Sequence, residues 1–239
     1  MHRAGAFVIA ALLLGRPALG SLDDVVPRVV EAYGGPAAVE KYAAYRVLAR
    51  VQALLRGTRG KVVREFRAPD QLRVEITYPG TTEVRILNGP RGWRGDAGVL
   101  RRVTGLPRLA MEYQILRSAV PWVFTRYREL LEDRGWRRSG GRSWRLVGLP
   151  WSMSLDLTYW VDGETLLVLR VEGLLRATGR TSVFATQYAD FRPVDGVMFP
   201  FLEQNYASGR RTGATTVTSV AFHPPDLGPF DPTRTEPEP

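Results

Sequence analysis

The side chains that carry most protein chemistry are scarce in this sequence. There is no cysteine, which excludes disulfides, thiolate metal sites, a cysteine nucleophile and a lipid-modified cysteine together. Two histidines leave little room for a multi-histidine metal centre. His223 stands beside Pro224-Pro225 with no Ser or Asp arranged around it, and reads as a surface histidine. Asp23-Asp24 is accounted for by helix capping, and Glu129, Glu132 and Asp133 by a solvated helix face. No glycine-rich phosphate loop is present. An enzyme built from Glu, Asp and Tyr is the weakest reading, because no nucleophile–base pair shows. No catalytic residue, metal or cofactor is expected.

Arginine is the chemistry the chain has in quantity. Thirty-three basic residues stand against 24 acidic ones, for a formal charge of +9, and only Lys41 and Lys61 are lysines. The planar guanidinium fork suits phosphate-bearing lipid heads and anionic membrane surfaces. Arg46, Arg50, Arg64 and Arg73 sit on strand patterns and are the candidates for head-group or membrane contact. The alternative is that each lies on a solvated face. Nucleic acid is not expected as a partner, since arginine and aromatic residues are scattered rather than interleaved on one segment.

Residues 1–20 read as a secretory signal: Arg3 is the positive start, Ala4–Leu14 the apolar run, and Ala18-Leu19-Gly20 the cleavage site. The run is short of the roughly 20 residues a membrane span needs. A soluble, exported mature chain is expected, with an uncleaved anchor as the alternative.

The elements that must position the arginines follow. Leu22, Val25, Val26, Val29, Val30 and Tyr33 recur at helical spacing, with Asp24 as the expected N-cap and Pro27 in the first turn. From Tyr45 the period becomes two, and alternating runs at 45–55, 62–67, 72–78 and 82–86 plus a hairpin around Trp93 predict an antiparallel meander. Leu106–Gly135 reads as two short helices or one kinked at Pro121. Strands resume at 153–161, 166–171, 182–191, 197–206 and 212–222. The stretch 224–239 reads as a frayed, Pro-rich acidic tail. One domain, 21–223, with about ten strands is expected.

A meander that long must curl, and the two helical stretches must cover its apolar face. A curved sheet around short helices leaves a hollow suited to an elongated apolar ligand, unless the two pack solidly. Met111, Ile115, Trp122, Phe124, Leu155 and Leu157 are the candidate acyl-chain contacts, with Trp122, Val123 and Phe124 as lid residues.

The segment Val29-Val30-Glu31-Ala32-Tyr33-Gly34-Gly35 before a long strand resembles the opening of LolA/LolB-like, lipoprotein-sorting proteins of the bacterial envelope. So do Tyr188-Ala189-Asp190-Phe191 and Asp195-Gly196-Val197-Met198-Phe199-Pro200. The resemblance implies a mainly β, α+β fold: a half-open β-barrel closed by an N-terminal helix and a mid-chain helical lid. It further implies a soluble, monomeric periplasmic carrier of lipoprotein or lipid acyl chains, non-enzymatic, with transfer partners at the inner and outer membranes. The alternative on the same fold is an envelope lipid sensor or regulatory scaffold. Membrane-anchored members carry a lipid on an N-terminal cysteine, so the likeness here is to the soluble ones.

Overall fold

A computed structural model describes residues 21–177 and 179–232; the expected signal at 1–20 and residues 233–239 of the tail lie outside these. Helix α1 (Leu22–Ala32) starts at Ser21 rather than at the expected cap Asp24. Asp24 instead accepts a hydrogen bond from the Ser21 backbone N–H at 3.1 Å, which secures the first turn and leaves Pro27 inside the helix. Helix α2 (Pro36–Tyr42) follows a glycine corner.

Six strands come next: β1 (Ala44–Ala53), β2 (Thr58–Arg67), β3 (Gln71–Tyr78), β4 (Thr81–Asn88), β5 (Arg91–Asp96) and β6 (Val99–Val103). Helices α3 (Gly105–Ser118) and α4 (Val120–Arg126) interrupt them. Seven more strands complete the chain: β7 (Glu132–Ser139), β8 (Arg142–Ser152), β9 (Leu155–Asp162), β10 (Val168–Ala177), β11 (Arg180–Val194), β12 (Val197–Ala207) and β13 (Arg210–Phe222).

All thirteen form one antiparallel sheet in the order β6-β5-β4-β3-β2-β1-β13-β12-β11-β10-β9-β8-β7. The first and last strands meet along a central seam, with Tyr45 opposite Phe222 and Val51 opposite Thr215. Two meanders thus become one wide, curved sheet whose free edges are β6 and β7. The helices occupy its concave side: α1 and α2 pack on α4, and α3 reaches from β4 and β5 across to β9 and β10. This is the mainly β half-barrel with a helical lid that the patterning led one to expect.

Further expectations are corrected, beginning with the strand count: thirteen strands stand where about ten were expected, and β8 precedes the expected resumption at 153. The helical stretch ends early: β7 begins at Glu132, so Glu132 and Asp133 belong to an edge strand, and Asp133 pairs with the buried Arg145. A bulge between Asp133 and Trp136 and the exposure of both faces erase the alternation that would have marked this strand. On β4, Val84 and Ile86 do not join the main core; Arg85 lies opposite Val74 and therefore shares its concave face. Val84, Ile86, Trp93 and Leu100 make a small separate cluster on the convex side. Finally, the tail does not fray at Pro224. Asp226 pairs with Arg46 at 2.9 Å, Phe230 is buried beneath the Arg67 guanidinium, and Asp231 accepts from Asn88 at 3.1 Å.

The main core lies between helices and sheet and is densely aromatic. Tyr42 stacks on Phe199 at 5.5 Å, Trp122 meets Phe66 edge-on at 5.9 Å, and Phe124 meets Tyr159 at 5.0 Å. The three segments that carried the resemblance meet here. Tyr33 packs edge-on against Phe191, its carbonyl accepts from the Met198 N–H at 3.0 Å, and Tyr42 donates to the Met198 carbonyl at 2.9 Å.

Candidate functional site

Tyrosine hydroxyls tie helix α3 to the sheet: Tyr159 donates to the Leu116 carbonyl at 3.0 Å, and Tyr113 of the helix itself reaches across. The Tyr113 hydroxyl donates to the Val171 carbonyl at 3.0 Å, and its ring lies over Gly173, where a Cβ would come within 2.5 Å of ring carbons. Only glycine admits that approach. Ala110, Tyr113, Gln114 and Arg117, spaced three and four apart, then form one stripe of the helix that faces a cavity of about 560 Å³. That volume falls within the roughly 300–1,000 Å³ of small-molecule sites. One stretch of its wall is apolar, formed by Val51, Val62, Val74, Ile76, Tyr78 and Phe184 of β1, β2, β3 and β11, while Gln52, Thr186, Asn205, Thr212 and Thr215 make the wall beside it polar.

The floor is charged and buried. Arg64 forks onto Glu203 at 2.6 and 3.1 Å, and Arg117 approaches the same carboxylate at 3.5 Å. Arg117 also donates to the Tyr188 hydroxyl at 3.0 Å, and that hydroxyl donates to the Arg117 carbonyl at 2.8 Å. Arg64, Arg117 and Glu203 are 5%, 7% and 1% exposed, so water does little to moderate these charges. Burial alone would push the Glu203 carboxyl up, but the charges and hydrogen bonds of Arg64 and Arg117 outweigh it and hold it at about 2. Burial likewise opposes the charge on both arginines, and is overcome for Arg64 by Glu203 above all and for Arg117 by Tyr188 and Glu203. The cluster holds two positive charges and one negative.

A second set of charges lies along the same cavity. Arg56, Arg85 and Arg94 gather on Glu83, the last two at 3.3 and 3.9 Å. Again arginines outnumber the carboxylate. The Nε atoms of Arg64 and Arg85 are buried and find no hydrogen-bond acceptor among the described residues.

Of the residues singled out from the sequence, Arg64 alone reaches this cavity. Arg46, Arg50 and Arg73 lie on the convex face: Arg46 between Glu65 and Asp226, Arg73 against Glu75, and Arg50 exposed. The alternation of β1 and β3 forces this, since their inward positions are apolar. Met111, Trp122, Phe124, Leu155 and Leu157 do not line the cavity; they are buried in the packed core. Phe124 and Leu157 are fully buried and Trp122 nearly so; in this conformation the expected lid residues are packed down as a plug. Ile115, on the opposite flank of α3, lines a second cavity of about 410 Å³ with Leu87, Leu116, Tyr127 and Trp151. Gln114, Arg117, Tyr188 and Glu203 were not expected at a site. Their signal was a charge or polar group on an otherwise apolar face, as in Phe199-x-Phe201-x-Glu203 and Val62-x-Arg64-x-Phe66.

Among the described residues, no group of His, Asp and Glu could hold a metal ion, and no helix is long and apolar enough to cross a membrane.

No protein-family model and no curated protein matches the sequence. Solved structures do. An outer membrane lipoprotein-sorting protein domain from Vibrio parahaemolyticus aligns over 85% of this chain and 94% of its own, with a TM-score of 0.53 and 10% identity. A DUF1329 family protein from Desulfovibrio piger aligns over 84% and 93%, with a TM-score of 0.53 and 12% identity. A LolA superfamily protein from Nitrosomonas europaea aligns over 87% and 96%, with the same score and identity. The likeness is one of architecture, spanning most of both chains. The fold of this protein is LolA-like, an open antiparallel barrel with a helical lid.

Proposed function

We propose that this protein is a soluble periplasmic carrier that holds an acyl chain, from a lipoprotein or another lipid, between α3 and the curved sheet. The observation that carries the reading is the cavity of about 560 Å³ beneath a helical cover, with an apolar stretch of wall from Val51, Val62, Val74, Ile76 and Phe184. Each methylene moved from water into such a space gains roughly 0.8 kcal/mol, so a sixteen-carbon chain gains on the order of 12 kcal/mol before ordering costs. Release needs a route of lower barrier. Helix α3 is flanked by space on both sides, 560 and 410 Å³, so a small shift enlarges one hollow at the expense of the other.

The periplasmic address rests on the signal-like residues 1–20. The non-enzymatic reading rests on the cavity's own chemistry: Glu203 is tied to two arginines instead of activating a hydroxyl. Within this reading the carrier works as a monomer and passes its cargo between partners at the inner and outer membranes. Organic extraction of protein purified from a native host, followed by mass spectrometry, is expected to yield about one acyl species per chain. Absence of any acyl species, together with no uptake of an added acyl probe, overturns the reading.

A further inference from the structure

The cavity's charge count is odd, and it is odd twice. Five arginines line it (Arg56, Arg64, Arg85, Arg94 and Arg117) against two glutamates (Glu83 and Glu203), a surplus of +3. At the floor the surplus is +1, on side chains more than nine-tenths buried. A buried ion pair can balance its desolvation by mutual attraction, but a second buried arginine that must share the same single carboxylate is balanced only in part. Arg64 spends both terminal nitrogens on Glu203 and keeps Nε free of any acceptor. Arg117 shares that carboxylate at 3.5 Å, donates to the neutral Tyr188 hydroxyl at 3.0 Å and lies over the Tyr113 ring at 5.7 Å, so among the described residues half a carboxylate is its only counter-charge. The apolar stretch of wall ends at these groups. Such a wall suits the tail of an amphiphile, and such a floor suits one anionic head.

We propose that the cavity selects acyl chains that end in a single anionic head, a carboxylate or a phosphate ester, with the head bound by Arg64 and Arg117. The Arg64–Glu203 pair then serves as a neutral base on which Arg117 supplies the positive charge that is read. Arg56, Arg85 and Arg94, sharing Glu83, draw the same kind of head along the cavity before it seats. The inference deepens the carrier reading and rests on it, since it takes this cavity as the seat of the chain.

The test compares three ligands of one chain length, laurate, monododecyl phosphate and 1-dodecanol, each displacing the neutral dye N-phenyl-1-naphthylamine from the full mature chain. Laurate, monododecyl phosphate or both are expected to bind at least tenfold more tightly than dodecanol, and whichever is favoured identifies the head. In Arg117→Met the preference is expected to fall to within twofold, with N-phenyl-1-naphthylamine and dodecanol still bound. Arg64→Lys keeps the charge opposite Glu203 but removes the Nε donor, and should lower the preference several-fold in a chain that still folds. Equal binding of all three ligands to the unaltered protein overturns the head-group proposal and leaves the carrier reading standing. A preference that survives both substitutions overturns the assignment to this cluster. Failure of every ligand and of the dye to bind overturns the carrier reading itself.

Discussion

Glu203 is a carboxylate that the fold keeps charged where water cannot reach it. Its folded pKa of about 2 lies below the ordinary 4.5, so its protonation opposes folding. The stability this contributes is present above about pH 4.5 and is lost as pH falls from there toward 2. A fall from 4.5 to about 2 corresponds to roughly 3 kcal/mol. Urea unfolding followed from pH 7 to 2.5 should show stability dropping over that window, and the drop should flatten in Glu203→Gln. At pH 7 the same substitution should cost about 3–5 kcal/mol, because two arginines are left buried without their counter-charge. An unchanged acid profile in the variant would place the acid sensitivity elsewhere. Sequence reading reached one of the three charged members of this cluster. Arg64 was singled out as a strand arginine, but periodicity could not tell it from Arg46 or Arg50 until the partner strand fixed which face was inward. Glu203 and Arg117 lie 139 and 53 positions from Arg64 along the chain, and no local pattern joins residues so far apart.

At the level of elements, α3 is attached where Tyr113 settles over Gly173, and α4 is a plug. Gly173→Ala forces the ring aside, with an expected cost of about 1–3 kcal/mol. For a chain of this size that is a fall in melting temperature on the order of 2–4 °C per kcal/mol, readable by circular dichroism. Phe124→Ala should cost about 3–5 kcal/mol, as expected of a fully buried ring packed on Tyr159. A Phe124→Ala variant that kept its stability and lost only ligand would return α4 to the role of lid. Most strands were legible because one face is apolar and the other charged, as in Leu72, Val74, Ile76 and Tyr78 against Arg73, Glu75 and Thr77. Strand β7 was not, because it is an exposed, bulged, arginine-rich edge that buries little. Such an edge resists pairing with another molecule, and its sequence therefore looks unlike a strand. The helix stripe was harder to read: Met111 packs in the core and Ile115 lines the smaller cavity, whereas the polar neighbours Gln114 and Arg117 face the larger hollow.

For the whole molecule, the clamp formed by residues 224–232 ties the C-terminus over β1–β5, and Phe230 is its anchor. Phe230→Ala should remove roughly 2 kcal/mol of burial and lower the melting temperature accordingly, whereas Asp226→Asn, at an exposed ion pair, should change it little. Equal effects from the two would show that charge, not the ring, holds the segment. A curled sheet under helices was foreseeable from the long meander and the need to cover one greasy face, and the resemblance implied its half-open barrel form; the strand order was not foreseeable, since hydrophobic alternation says which way a strand faces and nothing about its neighbour. The joining of β1 to β13 has a kinetic meaning. Val51 waits for Thr215, more than 160 positions away, before its strand has a neighbour on both sides. Ladders between such distant partners form slowly. A chain emerging in order can assemble its first six strands early, yet it can acquire its native curvature only when nearly all of it has been made.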